Sequence, residues 1–345
     1  MPRLLSVNRS VTPSGELSVT LGHDLLDDYL RFLAGRVRPN SLLAAAFDLK
    51  VFFSVVQKEP AEVSSADVIG FITSQRAPRV SSKVVRISDG GSGLSARTVA
   101  RRLSSISGLY AYLIVKGDAG VHSSPVPRGL ITRRARRNGG RAAPLLRSPR
   151  LLPRILEPAE VDALMAALRT KRDRAMVEAM VFGGLRRCEV LGLRLADLRP
   201  GERKVFIADG KGGHQRVVPI SSRFFNSVAA YLDTERPADS ASEFVFVVLK
   251  GPRRGSPLSA YGLDEILDLA RERAGLVKGT CHELRHTCFT RLREAGMALE
   301  AVQAQAGHTS VETTRLYLHL ADDWLAGEYR RASEAIDAQA SAGQR

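Results

Sequence analysis

The chain has 345 residues, 44% of them apolar, which is too long for one compact domain of ordinary size and suits two in a soluble globular protein. No run approaches the roughly 18 consecutive apolar residues of a membrane span. Residues 1–16 are polar and broken by Pro2 and Pro13, so no secretory leader is expected, and Cys188, Cys281 and Cys288 are too few for a disulfide framework. A reducing, cytoplasmic setting follows, with the three cysteines as small buried hydrophobes. Fifty-one Lys and Arg against 36 acids leave a net charge of +15. That excess points to a polyanion such as nucleic acid, because phosphate contacts release counterions.

Residues 1–20 read as an N-terminal tail, followed by an all-α domain over 21–127. From Leu25 to Gly117 the pattern is helical: Leu26, Tyr29, Leu30 and Leu33 share one face, and Leu43, Phe47 and Val51 another. Ser65 is placed as the cap of a short helix carrying Val68, Ile69 and Ile72. The clearest stripe is Val99, Leu103, Ile106, Tyr110 and Leu113, which needs a partner to bury it and so predicts a small bundle. Arg97, Arg101 and Arg102 lie near the start of that helix; DNA phosphates or plain solvent would both suit them.

Residues 128–153 read as a basic linker. Between Arg128 and Arg150 there are eight arginines, no acids, three glycines and two prolines. Such a segment would run along a nucleic-acid backbone, with Arg133, Arg134, Arg136 and Arg137 as candidate contacts.

From 154 to 321 the pattern is mixed. Helices are expected over 157–168 and 172–182, then two short β-rich runs, 205–207 and 217–220. Asp209-Gly210-Lys211-Gly212-Gly213 between them is a hairpin signal. Phe244–Val248 is a third apolar run. Helices follow over 261–273, 282–293, 299–306 and 311–320, and a last one, Asp322–Ala338, lies within the tail 322–345. The fold class expected is mostly α with a small antiparallel β-sheet.

Three segments carry chemistry: Gly184-Leu185-Arg186-Arg187-Cys188-Glu189, His282-Glu283-Leu284-Arg285-His286-Thr287, and Gly307-His308 followed by Thr313-Thr314-Arg315-Leu316-Tyr317. His282 and Arg285 are three apart and share a helix face. Together these residues supply phosphoryl transfer. Two arginines can hold the non-bridging oxygens of a pentavalent phosphorus with forked donors. A phenol with pKa near 10 needs a base or a cationic cradle to become a nucleophile. A departing 5′-oxygen needs a proton, which a hairpin lysine, Lys211, can deliver.

In this order, with the lysine between the first two segments, the residues resemble the catalytic core of the tyrosine recombinase (phage integrase) family. The resemblance implies an all-α core-binding domain and an α+β catalytic domain. It implies that Arg186 and Arg285 pair on the scissile phosphate, that Lys211 is the general acid, and that His282 helps activate the nucleophile. His308 would hydrogen-bond the phosphate, Tyr317 would form a 3′-phosphotyrosine, and Glu189 would support the arrangement. It further implies double-stranded DNA with a specific recombination site as partner, a tetramer in the synaptic complex, and DNA-bending accessory proteins. No cofactor, metal or membrane is implied. The C-terminal helix would pack on a neighbouring subunit or fold back on its own domain. The stretch before the first helix is too short for the arm-binding domain of many phage integrases, which points to a simpler recombinase.

Departures are Gly183 where threonine is frequent, Ala306 where leucine is usual, and Cys281 at a proline-like position. His282-Glu283-Leu284-Arg285-His286 also spells the zinc-protease signature. Arg285 would oppose a divalent cation there, and only His308 offers itself as a third ligand. A DNA-binding accessory protein without chemistry would account for charge and helices but needs no tyrosine at 317. A type IB topoisomerase would share the chemistry, but its chain plan is different.

Overall fold

The computed structural model describes residues 5–13, 15–78, 93–117, 119–127, 129, 145–146, 154–210 and 215–307. Lys211, His308, Tyr317, Arg133, Arg134, Arg136, Arg137 and the helices expected over 311–320 and 322–338 lie outside these residues. The chain divides into two compact units, Met1–Arg150 and Leu151–Arg345.

The first unit is built from α1 (Asp24–Ala34), α2 (Pro39–Val56), α3 (Ser65–Arg76) and α4 (Ala96–Lys116). The α4 stripe Val99, Leu103, Ile106, Tyr110 and Leu113 is buried throughout. It packs with Leu26, Tyr29 and Leu30 of α1 and with Leu42, Leu49, Phe52 and Phe53 of α2. The buried face of α2 is therefore turned from the one predicted: Leu43 and Val51 flank it and Phe47 is exposed. By length and hydropathy alone α2 would suffice to cross a membrane. Here, however, its apolar face joins this core and its midpoint carries an ion pair. Ser64, one residue before the expected cap, starts α3 through a capping box with Asp67.

The first unit is also not wholly helical. β1 (Asn8–Val11) and β2 (Leu17–Thr20) form an antiparallel hairpin with Asn8 opposite Thr20 and Val11 opposite Leu17. Gly15 sits at φ +82° in its turn, which glycine alone adopts freely. The expected N-terminal tail thus contributes Val19 to the core, with Leu5, Val7 and Leu17 packed against it. Only Leu17, Val19 and Leu21 alternate with polar residues, too short a pattern to announce a strand.

The second unit comprises α5 (Pro158–Ala167), α6 (Lys171–Val181), the short α7 (Arg187–Leu191), β3 (Leu198–Arg199), β4 (Lys204–Ile207), β5 (Arg216–Pro219), α8 (Ser222–Thr234), α9 (Ala260–Arg273), α10 (Cys281–Glu294) and α11 (Leu299–Ala306). The sheet runs β3-β4-β5, antiparallel, with Val205 opposite Val218. Helix α6 passes through the core with Ala175, Met176, Val177, Ala179 and Met180 fully buried. Helix α8, absent from the sequence reading, lays Phe224, Val228 and Tyr231 on the same core.

The apolar run Phe244–Val248 is not a strand of the sheet. It makes only isolated bridges, Arg194 with Phe244 and Val247 with Pro257. Its polar groups are met by other partners. The Val245 N–H donates to the Leu193 carbonyl at 2.8 Å, and the Val245 carbonyl accepts from the Tyr231 hydroxyl at 3.1 Å. The Val247 carbonyl accepts from Arg172 at 2.9 Å. With these groups satisfied the segment needs no ladder.

One buried acid ties α2 to α4. Asp48, 1% exposed, accepts a two-pronged bond from Arg101 at 2.6 and 2.8 Å and a third from the Ser105 hydroxyl at 2.9 Å. Arg102 lies 3.7 Å from the same carboxylate and also donates to the Gln75 side chain. Arg101 and Arg102 therefore have work inside the unit, while Arg97 is exposed. Because Arg101 is half exposed, Asp48→Ala should cost less than a fully buried pair, about 2 kcal/mol in urea unfolding. Arg97→Ala should change stability by less than about 0.5 kcal/mol.

Candidate active site

Helix α10 is fixed at its start by a capping box in which Thr280 and Glu283 serve each other's backbone N–H. Glu283 also accepts from the Gly279 N–H at 3.0 Å. With its register set, α10 places His282, Arg285 and His286 on one face. Glu283 is occupied in the cap, so it does not serve as the base that the zinc-protease pattern needs.

Arg285 is 4% exposed and reaches back toward the turn before α7, donating to the Gly184 carbonyl and, at 2.7 Å, to the Ala306 carbonyl. Its guanidinium stands 4.7 Å from the centre of the Phe289 ring. That turn is built for glycine. At Gly184 φ is +66° and a Cβ would lie 2.4 Å from Phe289; at Gly183 a Cβ would lie 2.4 Å from Ile220 Cδ1. Ile220 thus fills the space that a threonine at position 183 would need, which explains that departure from the family pattern. Ala306, the second departure, is fully buried and packs with Cys288, Phe289 and Val302. Cys281, the third, is the first residue of α10, where proline is also tolerated.

Arg186 caps α7 and is held by Glu189, one turn on. The Arg186 N–H donates to Glu189 Oε2 at 2.9 Å and its guanidinium to Oε1 at 2.7 Å; a further donor points to the Gly307 carbonyl at 3.4 Å. Arg285 stands 3.8 Å from the same carboxylate. The two arginines expected to pair are thus brought together on one acid. Burial alone would push the Glu189 carboxyl up, but the Arg216 fork, the Arg186 N–H and the two cationic charges outweigh it and hold it down to about 2.

Two members of this site were not read from the sequence. Arg216, at the start of β5, donates to both Glu189 oxygens at 2.9 Å and through Nε to the Gln305 carbonyl at 3.3 Å. Gln305, buried on α11, donates to the Gly183 carbonyl at 3.1 Å and the Pro219 carbonyl at 2.9 Å. Arg216 directly follows His214 and Gln215, and Gln305 lies two residues after Gln303, so nothing local marks either one. Helix α11 then ends at Gly307 in the left-handed conformation, φ +58°. Lys211 follows Gly210, and His308 follows Gly307. Both lie outside the described residues, as does Tyr317.

His282 is exposed and His286 is buried, their Nε2 atoms 2.8 Å apart and their rings edge to face. A hydrogen bond between two imidazoles needs one bare nitrogen as acceptor. Burial first, then the His282 and Arg285 charges, lower His286 to about 4 against a weaker pull from Glu283. Cys288 is buried as expected, whereas Cys188 is exposed and Cys281 only partly covered; the reading of all three as core hydrophobes is corrected.

The lowered His286 value has a definite sign. Its neutral form is favoured in the folded state, so the stability linked to it is complete above pH 6.5 and is lost as pH falls toward about 4. Melting temperature measured across that window should fall in the wild type. His286→Gln should remove most of the fall.

Residues 154–323 match the phage integrase family. The chain is 34% identical over 258 residues to tyrosine recombinase XerC of Pelotomaculum thermopropionicum, covering 70% of this chain and 76% of that protein. Two solved structures share the fold. The XerH site-specific recombinase bound to a palindromic difH substrate has TM-score 0.62, with 20% identity over 86% of this chain and 81% of that one. A lambda integrase tetramer bound to a Holliday junction has TM-score 0.61, with 18% identity over 86% of this chain and 76% of that one. The chain belongs to the phage integrase family and is a site-specific recombinase of the tyrosine type.

Proposed function

We propose that this recombinase cuts and rejoins duplex DNA at a specific site through a covalent bond between Tyr317 and a 3′-phosphate. The observation that carries the proposal is the pairing of Arg186 and Arg285 on the single buried carboxylate of Glu189. One acid among several guanidinium groups leaves positive charge in excess, which suits a phosphodiester whose non-bridging oxygens gain charge as phosphorus becomes pentavalent.

In this reading Tyr317 Oη attacks phosphorus as its proton passes toward His282, and the bond from phosphorus to the 5′-oxygen breaks. Lys211 gives the departing oxygen its proton, while His308 hydrogen-bonds a non-bridging oxygen. The phosphodiester energy stays in the phosphotyrosine link, so attack by a free 5′-hydroxyl reverses the step without ATP or metal. A first domain that runs to 127 and includes the β1–β2 hairpin, and a catalytic domain over 154–321, would hold the duplex with the basic linker 128–153 along it. Arg97 and linker residues Arg133, Arg134, Arg136 and Arg137 are the proposed backbone contacts. The half-exposed Arg101 adds an outward face, whereas Arg102 serves chiefly within its unit.

Strand exchange between two sites calls for four protomers, the assembly named for the lambda integrase relative. DNA-bending accessory proteins and a cytoplasmic, DNA-associated location belong to the same proposal. Integration, excision, transposition and resolution all use this chemistry.

The test is a nicked duplex carrying the sequence that the purified chain itself selects from a randomised oligonucleotide pool, incubated in EDTA. Wild type should become covalently attached to DNA and Tyr317→Phe should bind without attachment. Arg186→Ala or Arg285→Ala should slow cleavage by on the order of 3 kcal/mol of transition-state stabilisation. Attachment by Tyr317→Phe, or none by wild type on DNA that it binds, would overturn the proposal.

A further inference from the structure

The acid at the centre of the site is held from two sides. Arg186 reaches it from one turn away on its own helix, and Arg216 reaches it from the sheet with the stronger geometry, a two-pronged fork onto both oxygens at 2.9 Å. Arg216 spends three of its five N–H donors on Glu189 and the Gln305 carbonyl, and its side chain is only 13% exposed. Its stem passes under the end of α11, where a Cβ on Gly307 would come within 3.1 Å. It begins the return strand of the hairpin that carries Lys211, five residues earlier. Arg216 is thus turned toward the acid and not toward open solvent.

We infer that Arg216 is a positioning residue for strand cleavage. By clamping Glu189 from the hairpin side, it fixes the carboxylate that aims the Arg186 guanidinium, and it locks the base of the Lys211 hairpin to the Gly307 end of α11. The inference rests on the reading of Arg186 as a phosphate ligand given above. Three guanidinium groups face Glu189 among the described residues, Arg186 from α7, Arg216 from β5 and Arg285 from α10. Without the fork, the buried acid keeps only the partner it is meant to orient and a more distant one.

The experiment measures DNA affinity, its salt dependence and single-turnover cleavage of the nicked, self-selected duplex at saturating protein. The variants are Arg216→Gln, Arg216→Lys, Glu189→Gln, the double variant Arg216→Gln with Glu189→Gln, and Arg186→Ala. Arg216→Gln is expected to keep wild-type affinity and salt slope but cleave roughly 100-fold more slowly, the scale of a misplacement of about 1 Å. The double variant should be no slower than its slower single, because both changes act through one contact. Arg216→Lys keeps a cation beside the buried acid, and so the fold, and should recover part of the rate.

A weakened affinity with a shallower salt slope in Arg216→Gln would make Arg216 a phosphate ligand and overturn the inference. Multiplicative losses in the double variant would overturn it too. If Arg216→Gln does not fold, wild-type cleavage by Arg216→Lys would show that the fork is not needed. If Arg186→Ala cleaves normally, the proposed site itself is wrong. If Arg186→Ala is inactive while Arg216→Gln cleaves like wild type, only the positioning role fails.

Discussion

The arrangement of the second unit turns on one carboxylate. Glu189 is buried and meets guanidinium groups from three different elements. A buried charge is tolerable only when its lone pairs are filled, and here Arg186, Arg216 and the Arg186 N–H fill them. The same bonds fix positions that secondary structure alone would leave loose. Helix α7 has only five residues, too short to orient a long side chain by packing.

Around this acid, backbone carbonyls do the remaining work. Arg285 is aimed by the Gly184 and Ala306 carbonyls, and Arg186 points to that of Gly307. Gln305 joins the glycine turn to the sheet through the Gly183 and Pro219 carbonyls. The end of α11 is thereby drawn to both arginines. The chain passes from there into His308 and on to Tyr317.

What could be read in advance depended on how local the cause was. The α4 stripe was legible because its three- and four-residue spacing admits one buried face. Phe47 was misplaced because α2 is apolar nearly all round, so several faces looked equally buried. The β1–β2 hairpin offered only one short alternation, Leu17, Val19 and Leu21, and Phe244–Val248 had strand composition without a ladder to join. Arg186, His282 and Arg285 were found through a resemblance in motif and order. Arg216 and Gln305 were missed because their roles exist only in partners distant in the chain. Arg101 and Arg102 looked like a surface patch because their partner Asp48 lies on another helix.

The most direct test of this picture is the ionisation of Glu189 itself, followed by carboxyl carbon NMR in the folded chain, with Glu189→Gln to assign the signal. The account predicts that Glu189 stays ionised as far down in pH as the chain remains folded, consistent with a value of about 2. A Glu189 signal that titrates between about pH 4 and 5 in the folded state, as an ordinary glutamate does, would contradict it.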